Sequence, residues 1–352
     1  MQKGMTVFMV GYAALMLGSA AAYILAGDNT TVVQLAGVGM AILVFVLGFV
    51  AHRVSGAIGN PFNGLVMGRP LQVIAVWLGG ILLGLLAVGL AVGLGFVQID
   101  PEMGWFLQMS AEQASKQGNA VSASQLASMK VVFQVMSIVG ALIGPFFAAG
   151  VISLAFFPVY GWLGRRLLVK GLPHAFMVLG AFGVFGTAIG AFAPNPIIPE
   201  PNLALAIPLA ALYGLALTAV CIWLFLMTNS AVIPALAFAS FTSAFGACQL
   251  YYGDPLAHMV PPMGAADLVV LVIVAIGMWL TKVPGHKHME VAAAAFDGTS
   301  LNSEQVAQIE AGRSAAPQAA AQMQAAPDAE GIAVAAEEPA AESGTGDDEP
   351  DA

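Results

Sequence analysis

Eight long apolar runs constrain this chain more than anything else in it, lying near residues 5–26, 32–51, 71–97, 131–160, 174–193, 203–227, 231–251 and 264–281. A bilayer hydrocarbon core of about 30 Å is crossed by about 20 apolar residues in a helix, and each run approaches that length. Lipid offers the backbone no hydrogen-bonding partner, so only helices and closed barrels span it. These runs are continuous rather than alternating, and they predict an all-α fold: a polytopic membrane helical bundle of about eight transmembrane helices. Composition agrees, with 59% apolar and only 9% charged residues, against about 25% charged in an ordinary soluble domain. The first run follows Lys3, is about 20 residues long and lacks a clear small-x-small cleavage site followed by a soluble domain, so it reads as a retained signal anchor.

The charges give an orientation. Lys3, His52, Arg53, Arg69, Arg165, Arg166, Lys170, Lys282 and Lys287 all fall on one side of an eight-span path, whereas Asp28, Asp100, Glu102, Glu112, Glu200 and Asp254 fall on the other, with the two lysines Lys116 and Lys130. Cytoplasmic loops retain Lys and Arg, so both termini are expected in the cytoplasm of a bacterial inner membrane. The stretch Val151–Lys170 marks this most clearly: Trp162 and the pair Arg165 and Arg166 end an apolar run and read as residues of the headgroup interface.

Residues 1–288 are thus expected to form the bundle, with one large external connector over about 98–130. Ser110-x-x-Gln113 and Ser122-x-x-Gln125 resemble capping boxes and predict a helical hairpin there. Residues 194–201, with four prolines, read as a stiff turn. From residue 290 onward one Arg stands against 13 Asp/Glu, a net −12, while residues 1–289 hold ten Lys/Arg against seven Asp/Glu, a net +3. The Ala/Glu/Pro-rich segment 289–352 is therefore expected to be a disordered acidic cytoplasmic tail, with a short helix near 303–311. Such a tail suits a basic partner. The scattered cations give no footprint for nucleic acid.

Ionisable residues inside spans ordinarily mark intramembrane chemistry, because burying them is costly. Here the spans hold almost none; Asp267 opens the last run, where a helix N-terminus favours a carboxylate, and reads as a cap. Cys221 and Cys248 lie in apolar runs and read as packing residues. The histidines, at 52, 174, 258, 286 and 288, fall in loops or at span ends. Neither metal nor cofactor is expected.

One family resemblance stands out. Pro158-Val159-Tyr160-Gly161-Trp162-Leu163-Gly164, followed by Leu167-Leu168, resembles the first motif of the CPBP family, the CAAX-protease-like or Abi intramembrane metalloproteases, which carry Glu-Glu-x-Gly-Trp-Arg-Gly there. Phe182 to Gly186 resembles the second motif, Phe-x-x-x-His. Thr228-Asn229-Ser230 with Pro234 resembles the Thr-Gly-Ser-x-x-Pro approach to the third, His-x-x-x-Asn. Residues 1–283 fall within this likeness, and the eight-span topology fits it.

The departures matter more. Pro158 and Val159 stand for the paired glutamates, Leu163 for the arginine and Gly186 for the histidine; the third-motif pair falls at Phe238 or Ala239 and at Thr242 or Ser243. None of the residues in the glutamate and histidine places can activate water or hold a metal. The resemblance implies a degenerate member without a catalytic residue: a binding or scaffold subunit for another membrane protein, or a homo-oligomer, in the lipid bilayer. An active endopeptidase with a divergent site, and a permease or transporter subunit, are the alternatives.

Overall fold

The computed structural model describes residues 2–26, 29–56, 65, 67–116, 122–193, 202–256 and 258–281. The acidic tail, the helix expected near 303–311, the turn at 194–201, and His286 and His288 lie outside these residues. In chain order the elements are α1 (Gln2–Ala26), α2 (Thr30–Val54), α3 (Pro70–Gly93), β1 (Gln98–Ile99), α4 (Gly104–Lys116), α5 (Ala123–Ala127), α6 (Lys130–Phe156), a π-helical segment (Phe157–Gly164), α7 (Arg165–Leu168), α8 (Leu172–Gly190), α9 (Leu203–Thr228), α10 (Val232–Gln249), β2 (Tyr252–Gly253) and α11 (Ala265–Leu280). The chain is an all-α multi-pass membrane bundle: seven of these helices, counting α6 to α7 as one, are long and apolar enough to cross a bilayer. The eighth, α11, has 16 residues and spans about 24 Å.

Local chemistry sets the helix ends. Asn29 caps α2, its side-chain oxygen accepting from Val32 N at 3.2 Å. Pro70 occupies the first turn of α3, where its missing N–H costs nothing, and Gln72 Oε1 accepts from Arg69 N at 3.0 Å. Asn229, at φ 52°, ends α9 in the left-handed conformation that Asn tolerates.

The helices α3 and α6 pack against α10 on two sides, while α9 packs against α8 and α11, and α1 lies on α2 and α8. Indole groups tie neighbours together: Trp77 of α3 donates to the Leu142 carbonyl of α6 at 3.0 Å, and Trp279 of α11 to the Ala219 carbonyl of α9 at 3.1 Å. The outer faces are hydrocarbon, as on α6, where Val131, Val135, Met136, Ile138, Ile143 and Phe147 are exposed. An apolar outer face is what lipid requires, so burial, not polarity, distinguishes the interior of this bundle.

The connector after α3 is more ordered than a helical hairpin. Its start pairs with the segment after α10, Gln98 opposite Gly253 and Ile99 opposite Tyr252, in a two-stranded antiparallel sheet. Ser122 does open α5 in a capping box with Gln125. Ser110, by contrast, lies inside α4, which starts six residues earlier because Asp100 is the stronger cap: its carboxylate accepts from the backbone N–H groups of Glu102 and Gly104 at 2.9 and 2.6 Å. Lys130 at the head of α6 pairs with Glu102 at 2.7 Å and closes the connector.

Close approach of α8 and α9 depends on facing glycines. A Cβ placed on Gly183 would stand 2.7 Å from the Gly214 carbonyl, and one on Gly214 would press into the Gly183 backbone. Thr187 uses that proximity, donating to the Ala210 carbonyl across the interface at 2.6 Å. Gly214→Leu is therefore expected to lower stability by about 1–3 kcal/mol, seen as a reduced thermal-unfolding midpoint in detergent. An unchanged midpoint would contradict the close approach.

Candidate functional site

The stretch around the two arginines is enclosed by other helices. Every residue from Phe157 to Leu168 is buried, including Arg165 and Arg166, which are 1% and 3% exposed. The physical reason is that the chain remains apolar beyond the arginines, through Leu167 and Leu168. The π segment and α7 are enclosed by α2, α8 and the turn between α9 and α10. Arg165 donates through Nη2 to the Asn229 carbonyl at 3.2 Å and to its Oδ1 at 2.6 Å, with its guanidinium 5.6 Å from the Phe225 ring centroid. Arg166 donates to the Trp162 carbonyl at 3.1 Å and lies 4.4 Å from that indole's centroid. Trp162 is itself in the core, 5.6 Å from the Phe8 ring. The side chains of these three residues thus face the protein interior. Carbonyls, an amide oxygen and aromatic faces contact their cationic heads in place of water.

A π-helical segment of eight residues is uncommon, and such segments concentrate at functional places. Around this one the first and second motif-like stretches do meet. Val159, Trp162 and Leu163 share a core with Phe8 and Tyr12 of α1 and Phe182 of α8, with Tyr12 and Phe182 centroids 4.5 Å apart. Gly186 faces the same helix α1, where a Cβ would lie 3.2 Å from the Tyr12 hydroxyl. Pro158 points elsewhere, onto Gly48 of α2. The place that resembles an active centre is packed side chain against side chain.

The third motif-like stretch is separate. Phe238 stacks near Phe156, centroids 6.3 Å apart, and Thr242 turns its hydroxyl back to the Phe238 carbonyl at 3.0 Å. Ala239 is buried against Ala149 and Leu236. Phe238 lines a cavity of about 270 Å³ between α3, α9, α10 and α11. Its wall includes Val76, Gly80, Leu217, Val220, Ala237 and Phe241, with the Cys221 thiol and the Trp223 indole as its polarisable members. Sequence reading missed this cavity because its wall comes from four distant segments. The available signal was the cluster of small residues on α3, Ala75, Gly79 and Gly80, opposite Ala237.

At the opposite end, Asp267 in the first turn of α11 is fully buried within the protein, and its Oδ2 accepts from Met263 N at 2.7 Å. Its Oδ1 and the hydroxyl of buried Tyr252 have no hydrogen-bond partner among the described residues; burial pushes the Tyr252 phenol above its ordinary range. His258 accepts at Nε2 from Asn202 N at 3.2 Å, tying the loop before α11 to the head of α9. Among the described residues no three His, Cys, Asp or Glu side chains group to hold a metal. No protein-family model, curated protein or solved structure matches this chain.

The contact between Arg165 and Asn229 generates a stability prediction. Asn229→Ala removes the side-chain acceptor from a buried cation and the residue best suited to the left-handed turn. A loss of about 1–3 kcal/mol is expected, measured as the shift in thermal midpoint of the purified chain. A shift no larger than that of an exposed control such as Gln108→Ala would refute the role given to this contact.

Proposed function

We propose that this chain is a non-catalytic binding or scaffold subunit of a bacterial inner membrane, with both termini in the cytoplasm, whose bundle holds an apolar component of the membrane. The observation that carries the reading is the cavity among α3, α9, α10 and α11, walled by hydrocarbon and aromatic side chains. Concave apolar sites of this size bind by excluding water, and the few polar groups around them decide orientation and not reaction. The likeness to the CPBP frame supports the same reading. The positions that would carry carboxylates and imidazoles hold Pro158, Val159, Gly186 and Phe238, and the first two stretches are closed by Phe8, Tyr12 and Phe182. The acidic tail, at −12, is suited to a basic cytoplasmic partner.

Titration of the full chain, held in phosphatidylcholine nanodiscs, with an environment-sensitive hydrocarbon probe tests this reading. Saturable binding near one probe per chain is expected, weakened at least about tenfold in Ala237→Phe, which fills the cavity. Absence of saturable binding would refute the cavity as the site. Cleavage of a membrane-embedded peptide by the purified chain would overturn the non-catalytic assignment.

A further inference from the structure

The cavity has one end near a membrane surface and one side facing lipid. Along α9 its wall runs from Leu217 to Leu224, and along α10 from Pro234 to Phe241, so it occupies the half of the bundle nearest the turn at 229–231. On α3 it begins at Ala75, about 9 Å along the axis from Arg69. Gly68 rests on Ile233, where a Cβ would meet Cδ1 at 3.0 Å, and the next residue, Pro234, lines the cavity. Arg69 therefore stands at the near end. It also begins the row Arg69, Val73, Val76, Gly80 and Leu83, of which the last three line the cavity.

The lipid-facing side is on the same helix. Ala75 is exposed and Gly79 has open space where a side chain would be, and both line the cavity. They lie at the edge of the face formed by exposed Leu71, Ile74, Leu78 and Leu82. Hydrocarbon chains already in the bilayer therefore meet the cavity at a gap left by two small residues. Its volume, about 270 Å³, is nearly twice that of an apolar cavity of about 150 Å³ that admits benzene.

Charge distinguishes the ends. Among the described residues, the acids Asp100, Glu102, Glu112, Asp254 and Asp267 are all at or near the sheet-bearing end together with Lys116 and Lys130, whereas exposed Lys3, Arg53, Arg69 and Lys170 are at the end the cavity approaches and have no acid beside them there among those residues. Of these cations, Arg69 alone adjoins a helix that lines the cavity. Its guanidinium is exposed and geometrically suited to a phosphate oxyanion.

Building on the binding role proposed above, we propose that the cavity takes one acyl chain of an anionic phospholipid. The chain enters between Ala75 and Gly79, and the phosphate headgroup rests on Arg69. Neither the packed core at Val159 and Leu163 nor the buried arginines take part.

Native mass spectrometry of the full chain, released from nanodiscs of mixed phosphatidylglycerol and phosphatidylcholine, reads this directly. One retained lipid per chain is expected, with phosphatidylglycerol favoured about tenfold over phosphatidylcholine. Arg69→Gln should reduce that preference to near parity while hydrocarbon-probe binding persists. Gly79→Leu and Ala75→Leu, which narrow the gap, the former into open space, should reduce retention of both lipids. Equal retention by the unaltered chain, or an undiminished preference in Arg69→Gln, would overturn the headgroup assignment while leaving the apolar site intact. Loss of probe binding in the unaltered chain would instead overturn the binding role on which this proposal rests.

Discussion

Water is absent where most of this chain lies, and that constraint governs the rest of the structure. A backbone that cannot exchange its hydrogen bonds with solvent must satisfy them within each segment, so long apolar runs become helices. The helices then have no hydrophobic reason to choose one another over lipid, and shape and the few available hydrogen bonds decide association. The interior shows both devices. Gly183 and Gly214 allow two backbones to touch, Thr187 donates across that contact, and Trp77 and Trp279 each reach a carbonyl on a neighbouring helix.

The same constraint makes Arg165 and Arg166 informative. A buried cation is tolerable only if its donors are satisfied, and removing its partners costs more than the interaction itself contributes. Arg165 turns that requirement into architecture: by holding both oxygens of Asn229, it fixes the π segment to the turn between α9 and α10. That turn is also the end of the bundle which the apolar cavity approaches.

Span number and helix type were legible in the sequence because hydropathy over a run of twenty residues depends little on neighbours. The eight runs correspond to the seven long helices and α11. Side-chain direction was not legible at the same level. A Trp and two arginines after an apolar run carry the same signature whether their side chains face headgroups or neighbouring helices. Ser110 failed as a cap for a related reason, since a Ser-x-x-Gln spacing is blind to a carboxylate ten residues earlier, and Asp100 had already claimed the free N–H groups. The first two motif-like stretches lie together and the third apart, and no local pattern shows that aromatic rings fill the volume between the first two. The cavity itself depends on four segments meeting, which no local pattern contains.

A bundle can be apolar without being featureless. Its outer surface is hydrocarbon on every side, so hydrophobicity alone cannot select a ligand from the bilayer; any chain in contact with α6 finds the same environment as one in contact with α3. Selection requires concavity, which increases contact per carbon, together with a polar group at a fixed distance from it. Ala75 and Gly79 beside the cavity provide the first, and Arg69 one and a half turns further along α3 provides the second. The large exposed residues of α6 provide neither, although they present more apolar surface. Recognition within a membrane therefore follows missing side chains as much as present ones, and on this chain the small residues of α3 lie where that absence is useful.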